Sequence, residues 1–135
     1  MGNTSGVKKV ILVRRDLRLR RAEVASLVSK ATTRFFLDND ESEDHDKLEV
    51  KLSDSEMDWL STGMSVVVLG VPSSNMMESI LWRCEAAGIS TYTVSVKRIS
   101  EEDKSEAYRE HVACAVLGPD YSDSLDQITG KLKLF

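Results

Sequence analysis

Leu117-Gly118-Pro119-Asp120-Tyr121-Ser122-Asp123-Ser124-Leu125-Asp126-Gln127-Ile128-Thr129-Gly130-Lys131-Leu132-Lys133, closed by Leu134-Phe135, is the densest structural signal in the chain. It reads as the end of a buried strand, a Gly-Pro turn, a short helix over Ser122 to Ile128, and a terminal run Asp-x-Ile-Thr-Gly-x-Leu-Lys-Leu-aromatic. Gly and Pro together punctuate the chain, and the apolar run before them fits a strand closed on both faces.

Working outward, Val112 to Leu117 is that strand, and the highly charged Lys97 to Glu110 is a connection with some helical content. Ser90 to Val96 alternates and is rich in β-branched residues, so it predicts another strand. Pro72-Ser73-Ser74-Asn75 opens a helix whose buried stripe is Met76, Met77, Ile80, Leu81 and Cys84, with Gly88 as its stop. Ser65 to Val71 is an apolar strand, and Ser53-x-x-Glu56 is a capping box for a short helix to about Leu60. Asp38 to Asp46 holds six carboxylates and no apolar residue, which predicts a mobile loop. Val24, Leu27, Val28, Ala31 and Phe35 fall on one helical face, and Val7 to Val13 is a first, central strand. The order β-α-(α)-β-α-β-β-α predicts an α/β fold: a three-layer α/β/α arrangement around a four-stranded mixed sheet.

The 135 residues suit one domain with one core, with 1–6 as a flexible N-terminus and 38–50 as an acidic loop. No apolar run approaches the ~20 residues of a membrane span. Met1 to Gly6 lacks a signal core, and Gly6 stands where myristoylation wants a hydroxyl residue. Cys84 and Cys114, far apart and in apolar elements, predict two buried thiols in a reducing, cytoplasmic setting. Residues 1–36 carry nine basic and two acidic groups (+7), residues 37–60 two basic and ten acidic (-8), and the rest -3, giving the net -4. Five arginines lie between the first strand and the first helix: Arg14, Arg15, Arg18, Arg20 and Arg21. At a strand C-terminus and a helix N-terminus they would form an anion site of the kind open α/β sheets use. The alternative is a solvated turn compensated by the acidic segment.

Leu12-Val13-Arg14-Arg15-Asp16-Leu17, Val24-Ala25, Ser29-x-Ala31, Trp59-x-x-x-Gly63, Val67-Val68, Pro72, Ala87-Gly88-Ile89 and the C-terminal block occur in an order and spacing that resembles the type-2 peptidyl-tRNA hydrolases. The resemblance spans nearly the whole chain. It implies a four-stranded mixed sheet between helices, a homodimer, and hydrolysis of the ester joining a peptide to tRNA, with no metal and no organic cofactor.

The family's reactive positions are where the resemblance breaks. The lysine of its "Asp-Leu-Lys-x-Gly-Lys-Gly-Lys" falls on Arg18, and the glycines are lost in Leu19-Arg20-Arg21-Ala22-Glu23. Its helix Gln and His fall on Leu27 and Lys30, a lysine before the second strand on Val66, and its aspartate on Val96. Gly-Arg-Thr becomes Arg98-Ile99-Ser100, and the last threonine falls on Ala113, across a connection about five residues longer than the family's. Ester hydrolysis needs an activated water and a group that steadies the oxyanion. Arg18 can supply charge but not act as a base. Val96 can do neither, so activity would need Glu101, Glu102 or Asp103 with Ser100. Phosphate binding requires charge more than geometry and survives such changes better than catalysis.

The degraded reactive positions point first to the second of three readings, a member that keeps RNA-phosphate binding with impaired hydrolysis. One is a slow hydrolase using Arg18 and Ser100. The second is a module holding tRNA or another RNA through Arg14, Arg15, Arg18, Arg20, Arg21 and Lys30. The third is an interaction scaffold using the dimer surface and acidic loop. Arg18, Lys30 and Ser100 converging on an open cleft would favour the first two; a cleft plugged by Leu27 or by 97–110 would favour the third. His45 reads as a solvated loop residue rather than a metal ligand. His111, at the start of the last strand, reads as a partly exposed structural histidine rather than a general base, though it is the one imidazole near the reactive positions, and Trp59 and Trp82 read as packed rather than base-stacking. No Gly-x-Ser-x-Gly elbow is present.

Overall fold

The continuous apolar run after Lys8-Lys9 becomes β1, Val7–Arg14, whose last residues are buried on both sides. The computed structural model describes residues 6–98 and 109–135. After β1 come α1 (Arg21–Leu37), α2 (Asp54–Ser61), β2 (Val66–Val71), α3 (Ser74–Ala86), β3 (Thr91–Arg98), β4 (Arg109–Tyr121) and α4 (Ser122–Thr129). The expected flexible residues 1–5 and residues 99–108 of the expected 97–110 connection lie outside the described residues, while its described ends, Lys97-Arg98 and Arg109-Glu110, are strand, belonging to β3 and β4 rather than to the connection.

The four strands form one mixed sheet in the order β2-β1-β4-β3. β1 pairs in parallel with β2 and antiparallel with β4, and β3 pairs antiparallel with β4. One core lies between the sheet and α3–α4, built from Val10, Leu12, Met77, Ile80, Cys84, Leu117 and Leu125. The other lies under α1, built from Ile11, Val13, Leu27, Ala31, Phe35, Cys114 and Val116. Lys9 on the α1 side reaches the rings of Phe36 at 5.4 Å and Trp59 at 4.3 Å, which places α2 on that face as well. The predicted α/β/α layering is the observed one.

Local details depart from expectation. Gly118-Pro119 does not turn the chain. Between the pairs Lys8↔Asp120 and Val10↔Leu117, β4 has two residues where β1 has one, so Gly118-Pro119 forms a bulge and the strand runs on to Tyr121. Gly118 takes φ +82, and a Cβ there would meet the Asp120 amide at 2.6 Å. The bulge places the proline, which has no N–H, where the ladder is already interrupted. The acidic segment is a loop with closing bonds of its own. Asp40 bridges to Val50, and its carboxylate accepts from the amides of Ser42 (2.9 Å) and Glu49 (2.8 Å). On α3, Met77, Ile80 and Cys84 are buried as predicted, but Met76 is 42% and Trp82 70% exposed. Trp59 is packed, donating its indole N–H to the Ser65 carbonyl at 2.8 Å.

The terminal run folds back beside the sheet. The Gly70 amide donates to the Lys133 carbonyl and the Phe135 amide to the Val68 carbonyl. These bonds cover the outer edge of β2, which would otherwise present unpaired backbone.

Candidate functional site

Arg18, Val96 and Ala113 lie at one end of the sheet, where β1 finishes, α1 begins, β3 finishes and β4 starts. β1 and β2 are parallel neighbours whose following helices go to opposite faces, the arrangement that opens a crevice at strand C-termini.

Arg14, expected among the phosphate-binding residues, is turned inward and is 1% exposed. Its Nε and Nη2 both donate to Asp16 at 2.6 Å, and Nη1 donates to the Val112 carbonyl at 3.3 Å. It staples β1 to β4 and is removed from the surface set. Arg15 is exposed but turns along the β2 edge. Its Nη2 donates to the Leu134 carbonyl at 2.5 Å, and its guanidinium lies 5.0 Å from the Phe135 ring centroid. A Cβ on Gly70 would collide with that guanidinium, so the glycine leaves its path open.

Arg18 sits at φ +52, in the left-handed region that costs a side-chain-bearing residue roughly 1–2 kcal/mol. Buried Leu17 and half-buried Leu19 anchor the turn on either side and leave Arg18 outermost. Arg20 and Arg21 are exposed at the start of α1. There the positive end of the helix dipole adds to their charge. Glu23 answers part of it: its carboxylate accepts from the Arg20 amide at 3.0 Å and pairs with Arg98 of β3. The Arg20 amide, and after it the Arg98 guanidinium, hold Glu23 below the usual carboxylate range.

Lys30 does not join this cluster. It stands nine residues beyond Arg21, about 14 Å along the helix and on the opposite side. It shares a face with Glu23 instead, and is exposed. Leu27 is 8% exposed and packs into the core beneath α1, so it fills core rather than an open cleft. Val66, at the family's lysine position, pairs with Lys9 away from the strand C-termini. Ser100, Glu101, Glu102 and Asp103 lie outside the described residues.

Val96 and Ala113 are apolar in a revealing setting. Val96 packs against the α1-side core and pairs across the ladder with His111. Ala113 is fully buried and is the extra residue of a second bulge, between Val94↔Cys114 and Ser95↔Val112. Bulges re-aim side chains beside functional sites; here the device carries only a methyl group. The His111 Nε2 is buried and has no hydrogen-bond partner among the described residues. Sequence reasoning placed His111 near the reactive positions but had no signal for its orphaned nitrogen, which depends on what packs around it. The inward role of Arg14 did have a signal, an acid two residues on at a strand end. Among the described residues no group of three or more histidine, cysteine or acidic side chains is placed to hold a metal ion.

The 17-residue α1 carries the chain about 25 Å from Arg21 at its start to Asp38 at its end, where the acidic segment begins.

The family model for peptidyl-tRNA hydrolase PTH2 matches residues 7–135. A peptidyl-tRNA hydrolase of Metallosphaera sedula is 31% identical over 129 residues, covering 95% of this chain and 99% of the relative. Those of Thermoplasma volcanium and Methanothermobacter thermautotrophicus are each 28% identical over 128 residues, covering 95% of this chain and 97% and 99% of the relatives. An Agrobacterium protein of unknown function (strain C58) shares the fold at TM-score 0.54 and 14% identity, with 96% and 97% of the two chains covered. With the family model spanning residues 7–135 and a 31% identical relative covered almost end to end, the chain belongs to the peptidyl-tRNA hydrolase PTH2 family.

Proposed function

We propose that this member of the family binds tRNA or another RNA by its phosphates through Arg18, Arg20 and Arg21, with ester hydrolysis strongly impaired. The observation that carries the reading is the pairing at the strand end. Among the described residues, Asp16 in the arginine turn and Glu23 in the first turn of α1 are each held by an arginine, Arg14 and Arg98. The positions that supply an acid and a hydroxyl in the family hold Val96 and Ala113. Neither group has a proton to give or take, whereas the outward guanidinium groups retain what phosphate binding needs. The test pairs two measurements on the purified protein. Turnover of peptidyl-tRNA is expected to be no greater than that of Arg18→Ala. RNA affinity is expected to fall steeply with salt, and neutralising Arg18, Arg20 and Arg21 together should shallow the log–log salt slope by roughly 2–3. Equal binding by that triple variant would exclude the reading.

A second reading, an active hydrolase, is favoured by one observation, the orphaned His111 Nε2 beside Val96. An imidazole there would take the water's proton in place of the missing carboxylate. It predicts measurable turnover that His111→Gln abolishes while RNA affinity is kept.

A further inference from the structure

A groove of about 680 Å³ lies between α3, the end of α4 and the terminal run, away from Val96 and Ala113. Its apolar lining is aliphatic: Pro72, Met76, Ile80, Ile128 and Leu132. Four cations border it, Arg15, Arg83, Lys131 and Lys133, against one carboxylate, Asp126. That carboxylate is already occupied by Lys8 at 2.6 Å. In a chain of net charge -4 this is a local inversion of sign over an apolar floor.

The walls are fixed in place. Arg83 donates to the Gln127 carbonyl at 2.8 Å, tying α3 to the C-terminal end of α4. The terminal run is held by the Gly70 amide and by Arg15. The volume lies in the range of preformed ligand sites.

We infer that this groove is a docking site for an acidic, aliphatic peptide segment of a protein partner, its leucine-like side chains on Met76, Ile128 and Leu132 above the buried Ile80, and its carboxylates on the lysine and arginine rim. Charge complementarity selects an anion. The lining selects its body: single-stranded nucleic acid is held by aromatic stacking, and the groove is lined by aliphatic side chains, which suit the apolar face of an amphipathic helix. The inference is independent of RNA binding at Arg18, Arg20 and Arg21.

The probe is a fluorescein-labelled helical peptide with leucines at i, i+3, i+4 and i+7 and glutamates between them. Binding is read by anisotropy and by methyl NMR shifts of Met76 and Ile80. The expected result is saturable binding that weakens at least tenfold in Lys131→Glu/Lys133→Glu and in Met76→Glu. All three sites lie at the surface, so the thermal midpoint should hold. Arg18→Ala/Arg20→Ala/Arg21→Ala should bind the peptide as the wild type does. A peptide with lysine in place of glutamate should not bind. No saturation at roughly millimolar peptide, unchanged affinity in the groove variants, or displacement of the Met76 and Ile80 shifts by oligouridylate rather than by the peptide would each overturn the assignment.

Discussion

Replacing Asp16 with Asn while leaving Arg14 in place would strand a guanidinium that is 1% exposed. Removing one partner of a buried pair typically costs about 3–5 kcal/mol, because the remaining charge stays out of water uncompensated. Asp16→Asn is therefore expected to lower unfolding free energy by about 3 kcal/mol, measured by urea denaturation. The double variant Arg14→Met/Asp16→Ala should recover most of that loss, since it removes both charges. The same pair shows what single residues disclosed in advance. Residue type announced five positive charges but not their directions. The apolar run of β1 does not alternate, so periodicity did not tell an inward arginine from an outward one, and the acid two residues after Arg14 was the one local cue. Arg14 is inward because Asp16 and the Val112 carbonyl take its donors. Arg15 is directed along β2 by the Leu134 carbonyl, a partner 119 residues away.

At the scale of elements, α1 depends on how its basic N-terminus is answered. Glu23 joins the Arg20 amide to Arg98 across to β3, so one carboxylate both caps the helix and anchors it to the sheet. Its proton affinity is lowered in the folded state, first by that amide bond and then by Arg98. A carboxylate depressed in this way stabilises the fold in full above the ordinary carboxylate range, and the contribution is lost as pH falls through its own lowered value. The wild type should exceed Glu23→Gln in stability at neutral pH, and the gap should close in acid. Urea midpoints of both proteins across the acid range check this, and a gap that persists at about pH 2 would show that Glu23 acts through packing instead. The helices were legible because periodicity and capping boxes are local; Ser53 and Glu56 cap α2 as their spacing predicted. The Gly118-Pro119 bulge was not, because the same dipeptide serves a turn or a bulge depending on the neighbouring strand.

The whole molecule has two apolar layers joined by one sheet, and each layer holds a natural reporter. Cys84 lies on α3 in one core and Cys114 on β4 in the other, both fully buried. Burial pushes their thiols up, to about 11 for Cys84 and about 12 for Cys114. A raised thiol contributes stability that is complete below the ordinary thiol range and is lost as pH rises through those values. Near neutral pH neither thiolate forms in the folded chain, so a thiol-directed label can reach them only through opening. The buried thiols were readable from apolar context, but whether the layers open together was not, because that depends on how firmly each packs on the shared strands. β1 and β4 contribute side chains to both cores, with Val10 and Leu12 facing one and Ile11 and Val13 the other. Losing either layer would therefore expose apolar surface of the central strands. Small domains built on one such sheet unfold as a unit. Cys84 and Cys114 should label at the same rate, slowed equally by a stabilising osmolyte, as followed by mass spectrometry of the two peptides. Faster labelling of Cys84 would mean that α3 detaches alone, and the groove beside it would then open and close with that helix.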